Sequence, residues 1–153
     1  MATVIATLED FYAHALAIER EAAERYAELR NQFARRGEDV LAGLCGSLAE
    51  EEREHFEGLV RAASHLSLPA IVAHPWLEGD APETPSRELL YNVATPRQLL
   101  LIALAAEHRA REFFLAAARD AVSREVRELA SIMAAEEVQH IDWVEQAIAY
   151  HDT

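Results

Sequence analysis

Four stretches of the chain carry apolar residues at three- and four-residue intervals, the spacing of helices that bury one face. In the first, Leu8, Phe11, Tyr12, Ala15, Ala22, Tyr26, Leu29 and Phe33 lie on one stripe, with Thr7 and Asp10 placed as a capping box and Gly37 as a left-handed stop. This predicts a helix over about 8–36. Asp39 is positioned to cap a second, about 40–66, whose stripe is Leu41, Leu44, Leu48, Leu59, Ala62 and Leu66. All five prolines then fall between Pro69 and Pro96, with Gly79 among them, so 67–95 reads as a long connection in which Ser86 to Tyr91 adds a short helical turn. Thr95 before Pro96 is a cap followed by a first-turn proline. It opens a third helix, about 96–121, with Leu100, Ala103, Ala110, Phe114 and Ala117 on one face. Ser123 caps the last, about 124–150, whose face runs through Val126, Leu129, Met133, Val144 and Ala147.

The turns near Gly37 and Val122 are short, so each flanking pair of helices must be antiparallel neighbours. The connection over 67–95 is long enough to run from one end of a bundle to the other, so the third helix starts beside the end where the second began. The expected fold is all-α: a four-helix bundle of two helical hairpins joined by a long crossover, one domain over 1–153. Composition agrees, since Gly and Pro number five each while Ala, Leu, Glu and Arg dominate.

Each apolar stripe is broken by charge, and always in the same way. Glu19 interrupts the first and Glu107 the third, while Glu52 with His55 interrupts the second and Glu137 with His140 the fourth. Aligning Glu52 with Glu137 also aligns His55 with His140, Phe56 with Ile141 and Leu59 with Val144, at an offset of 85. Upstream, Glu19, Ala22 and Tyr26 match Glu107, Ala110 and Phe114 at an offset of 88. The chain is thus internally duplicated, each half being a helix with one Glu followed by a helix with Glu-x-x-His. Residues three apart share a helix face, so each Glu and His point the same way. Measured from the two turns at about 1.5 Å per residue, all six groups lie at a similar height.

Four carboxylates facing one another on core faces must be protonated or neutralised by cations. Four carboxylates and two neutral imidazoles sum to −4, which two divalent ions cancel. A dinuclear metal site follows, with iron, manganese or zinc suited to carboxylate and imidazole donors. The arrangement is the one described for di-iron and di-manganese bundles, a Glu from each of two helices and Glu-x-x-His from each of the others. Either Glu-x-x-His alone fits equally well on a solvated helix face, and a lone Glu on an apolar stripe can reach water. Six such residues, duplicated and level, favour the metal.

Other features narrow the function classes. The formal net charge of −13 argues against nucleic acid and anionic membrane as partners and suits cations. The amino terminus, MATVIATLEDF, lacks a signal peptide's basic region and long apolar run, and no stretch approaches a membrane span, so a soluble, cytoplasmic protein is expected. Cys45 is the sole cysteine, which excludes an internal disulfide or a cysteine-based metal site and leaves a small core residue. His14, His65, His74, His108 and His151 have no partner in the duplication and are expected at the surface or in polar networks, while Trp76 and Trp143 are expected in packing or at an interface.

The residues EREH at Glu52 to His55, and Glu19-x-x-Ala22 leading to Tyr26, resemble the ferritin-like di-iron superfamily, and rubrerythrin most. The resemblance spans all four helices and implies two iron ions held by Glu19, Glu52, His55, Glu107, Glu137 and His140, with Glu52 and Glu137 bridging and Tyr26 a phenol beside the site. It also implies reduction of hydrogen peroxide or O2. Rubrerythrins carry a four-cysteine rubredoxin domain that Cys45 alone cannot supply, so an external electron donor is required. Ala110 stands where that family has an additional carboxylate, and only His151, Asp152 and Thr153 follow the fourth helix, so a ferritin-type storage cage is not expected. The same ligands would equally serve a ferroxidase handling iron without a cage, or a non-catalytic bundle stapled by metal. A homodimer is expected, in which the crossover could exchange hairpins between chains.

Overall fold

The structure is a computed structural model that describes residues 5, 7–69, 84–85 and 92–151. Among the described residues the regular elements are four helices: α1 (Leu8–Arg35), α2 (Asp39–Ala62), α3 (Pro96–Asp120) and α4 (Arg124–Tyr150). No strand occurs among the described residues. No helix among them is long and apolar enough to cross a membrane.

The helix starts follow from side chains that satisfy the first-turn amides. Thr7 Oγ1 accepts from the Asp10 amide at 3.0 Å, and the Thr7 amide donates to Asp10 Oδ2 at 3.3 Å. Thr95 and Gln98 form the same reciprocal pair before Pro96, and Ser123 Oγ accepts from the Val126 amide at 3.0 Å. Gly37, at φ 75°, closes α1. The Gly37 amide donates to the Ala34 carbonyl and the Glu38 amide to that of Phe33, the paired bonds of a Schellman stop.

Two details of α2 depart from the sequence expectation. Asp39 is the first helical residue, and Glu38 takes the cap position with no side-chain bond, because the stop at Gly37 feeds the chain straight into the next helix. Asp39 still places its charge at the positive end of the helix dipole. The helix also ends at Ala62 rather than near 66. Beyond it, the Ser64 and Leu66 amides reach back three residues, to the Arg61 and Ala63 carbonyls, so the last turn tightens and unwinds before Pro69. Accordingly Ala62 is exposed and Leu66 only half-buried. Trp76, His74 and the turn expected at Ser86 to Tyr91 lie outside the described residues.

The core has two apolar clusters, one at each end. The first joins Leu29 and Phe33 near the α1–α2 turn to Leu99, Leu100 and Ala103 at the start of α3 and Val144 near the end of α4. The second joins Phe11, Ala15 and Ile18 at the start of α1 to Phe114 at the end of α3 and Val126, Ala130 and Met133 at the start of α4. Within it Phe11 and Phe114 meet edge to face, ring centroids 6.1 Å apart. Since α3 begins at the α1–α2 turn, α2 and α3 run in the same direction and the crossover must traverse the bundle. It is tied down where it is described: Arg25 Nη1 donates to the Pro85 carbonyl at 2.6 Å and Arg109 Nη2 to that of Thr84 at 3.2 Å. One guanidinium comes from α1 and the other from α3, so this short stretch is anchored to both hairpins.

Candidate metal centre

Between the two apolar clusters lies the layer where all four stripes carry charge. Glu19, Glu52 and Glu107 are each 2% exposed and Glu137 1%. Carboxylates are rarely this deeply buried without a charged partner. His140 is buried with them and His55 half-buried. The helical register explains the convergence: each group replaces one apolar residue on a stripe, and the two short turns bring the four stripes level.

Donor atoms of Glu19, Glu52 and His55 all lie within 4.8 Å of one another, and so do those of Glu52, Glu107 and His140. Glu52 therefore belongs to both groups. Across the middle, His140 Nε2 is 3.0 Å from His55 Nε2, and the rings stack at 4.1 Å between centroids. On its other edge His140 Nδ1 lies 3.2 Å from Glu137 Oε2 and 3.5 Å from Glu107 Oε2. All six metal-site residues expected from the sequence are thus brought into one layer. Tyr26, wholly buried, sits in the apolar cluster toward the α1–α2 turn.

The protonation of this layer follows from burial. Burial, reinforced by the neighbouring Glu107, pushes the Glu137 carboxyl well above the usual carboxylate range, to about 9. Burial works against a charged His140, but its bonds to Glu107 and Glu137 and their charge outweigh it and raise its pKa. His55 moves the other way, down to about 4, through burial and then the proximity of His140. Without cations, burial favours a proton on Glu137 and the neighbouring Glu107 and Glu137 side chains favour one on His140. Those are the positions where divalent ions would be preferred to protons, and the donor set fits two of them, with charge for charge and one carboxylate common to both groups.

Three residues escaped the sequence reading. Glu51 is half-buried, its pKa raised by burial, and its donor atom groups with those of His55 and His140. It sits beside Glu52 in EEREH, about 100° around the helix, and only its duplicate Glu136 could have flagged it. Arg25 and Arg109 were also missed, since an Arg near a ligand on a helix carries no signal until the crossover is placed. His14 is buried, its Nδ1 2.7 Å from the Asp10 carbonyl, in a local polar contact as expected. Cys45 is buried in the core and its thiol is pushed up to about 12 by burial, so no thiolate is available as a donor. Trp143 is 37% exposed.

Solved structures share this architecture. An apo-ferritin from Pseudo-nitzschia multiseries matches with a TM-score of 0.63 and 18% identity, over 94% of this chain and 86% of its own. The fold is the ferritin-like four-helix bundle. A bacterioferritin from Rhodobacter capsulatus, solved with a metal-free dinuclear site and a heme iron, matches this ferritin-like bundle with a TM-score of 0.60 and 21% identity, over 99% and 89% of the two chains. A conserved protein of uncharacterized function from Magnetospirillum magnetotacticum MS-1 shares it with a TM-score of 0.73 and 29% identity, each chain covering 95% of the other. No protein-family model matches the chain, and no curated protein does.

Proposed function

We propose that this ferritin-like bundle holds two iron ions and works as a rubrerythrin-like oxidoreductase, reducing hydrogen peroxide or O2 with electrons from an external donor. Manganese and zinc are the alternative metals. The observation that carries the reading is the sharing of Glu52 between two groups of three donors, all buried except the half-buried His55. Glu19 and His55 complete one group, Glu107 and His140 the other, and Glu137, against His140, is assigned as the second shared carboxylate.

A pair of bound irons would supply two electrons, the number needed to take hydrogen peroxide to water. The chain's own contribution is to orient donors and manage protons. Glu137 and His140, whose pKa values are raised, would have to release protons to serve as ligands, so cation binding would be coupled to proton release. The apolar clusters above and below lower the dielectric around the layer and keep its charges effective at short range. Tyr26 is assigned as a buried phenol beside the centre. Cys45 alone cannot build a four-cysteine electron site, and the donor is therefore assigned outside this bundle.

A ferroxidase that handles iron without a cage would use the same six ligands, and the fold shared with ferritins favours keeping this second reading. Rapid-mixing spectroscopy of the iron(II)-loaded protein separates the two. Faster oxidation by peroxide than by O2, stopping after one turnover until a reductant is added, supports the oxidoreductase. Faster oxidation by O2 supports the ferroxidase, and no oxidation by either leaves a metal-stapled bundle. The functional unit is proposed to be a homodimer, which sedimentation velocity would show as twice the 17.1 kDa chain mass.

A further inference from the structure

The two halves of the chain match in their ligands but not in what surrounds them. On one side of the charged layer, between α1, α2 and α4, a cavity of about 300 Å3 opens. Its inner end is formed by Glu19 and His55, its wall by Tyr12, Leu59, Leu129, Ile132 and Met133, and Glu54 and Glu136, both exposed, stand at its rim. At the duplicated positions there is closed core instead: Leu44, Leu48, Leu100 and Val144, equivalent to Leu129, Met133, Tyr12 and Leu59, pack into one cluster. The sharpest difference is Gly58, which lines the cavity where the second half carries Trp143. Gly58 has no positive φ that would require glycine, and a Cβ there would meet only the end of Arg61, at 3.9 Å. Glycine weakens a helix interior, so neither the backbone nor packing accounts for it here. The open space beside it does.

We propose that this cavity is a binding site for a small uncharged organic molecule with an apolar body, seated against the Glu19–His55 end of the charged layer. Size supports it, because an apolar cavity of about half this volume accommodates benzene. The volume also exceeds what peroxide or O2 needs, and it falls at the lower end of ordinary ligand pockets. Charge selects against anions, since Glu54 and Glu136 face the entrance of a strongly acidic chain. Placing the ligand beside a metal ion rests on the reading above; the cavity itself does not.

The test uses benzene as the probe and methyl NMR of the full-length protein, first free of metal. Saturable shifts should appear at Leu59, Leu129, Ile132 and Met133, Gly58→Trp should weaken benzene binding more than tenfold, and Trp143→Gly should leave it unchanged. Gly58→Leu, a smaller filling, covers the case in which the tryptophan variant does not fold, and should also weaken binding. Benzoate should bind at least tenfold more weakly than benzene, and the gap should close in Glu54→Gln/Glu136→Gln. In protein loaded with cobalt(II), paramagnetic relaxation of the benzene protons should show the probe near the ion. Absence of benzene shifts in wild type, shifts elsewhere on the bundle, or unchanged affinity in both filled variants would overturn the proposal. A protein that binds benzene but takes up no cobalt would keep the cavity and remove the metal reading, so the two failures are distinguishable.

Discussion

Replacing Glu52 with Gln is the most discriminating single change, because Glu52 is the one carboxylate that belongs to two of the three-donor groups, while Glu19 and Glu107 each belong to one. The substitution keeps the shape and removes the charge, leaving three carboxylates to face two divalent ions. If each ion is present at a thousand times its dissociation constant, each stabilises the native state by about 4 kcal/mol, and two by about 8. For a chain of this length that corresponds to a metal-dependent rise in Tm of roughly 16–32 °C. Glu52→Gln should lose most of that rise, and Glu19→Gln or Glu107→Gln about half. The metal-free proteins should order the other way, because each substitution removes one buried carboxyl that otherwise must be neutralised by a proton. Calorimetric scans with and without manganese(II), paired with elemental analysis of bound metal, read both effects. Wild-type metal content in Glu52→Gln, or a loss no greater than that of Glu19→Gln, would refute the shared-ligand reasoning.

Three other outcomes follow from the same structure. Glu137 has a folded pKa raised to about 9, so its contribution to the stability of metal-free protein is fully present below its unfolded value near 4.5 and is lost as pH rises through 9. Urea melts should show that alkaline loss, and Glu137→Gln should flatten it. His55, depressed to about 4, contributes stability present above its unfolded value near 6.5 and lost as pH falls toward 4, so His55→Gln should flatten the acid limb between those values. Arg25→Met should cost about 1.5–3 kcal/mol, the usual worth of a hydrogen bond from a charged donor, because it releases the Pro85 carbonyl; an unaltered urea midpoint would show that the anchor contributes nothing.

The four helices and their charged layer were legible because the information is local and repeated. Thr7, Thr95 and Ser123 mark starts by side-chain geometry that depends only on the next three residues, and Gly37 marks a stop by its sign of φ. The level placement of Glu19, Glu52, Glu107 and Glu137 needed only short turns and a fixed rise per residue. What was not legible depends on packing across elements. The end of α2 at Ala62 reflects a loss of helical bonding over Ser64 to Leu66 that an apolar stripe does not encode. Arg25 and Arg109 gain their roles from a crossover segment far away in sequence, and the cavity beside Gly58 is a property of three helices at once.

Duplication explains both the near-symmetry of the ligands and the way it fails. Two copies of a Glu helix and a Glu-x-x-His helix place equivalent donors face to face, and the His55–His140 stack is what remains of that symmetry at the centre. Several positions around the donors have diverged. Tyr26 is matched by Phe114, so one half has a buried phenol where the other has a bare ring. Glu51 folds toward His140, whereas its equivalent Glu136 stands exposed at the cavity rim. His55 borders the cavity and has its pKa lowered, while His140 is enclosed between carboxylates and has its pKa raised. Two ions in this layer would therefore have the same kinds of donor but different access to outside molecules and different proton competition. A duplicated sequence in this bundle thus gives two inequivalent surroundings for similar donors, with the cavity on the side of Glu19 and His55.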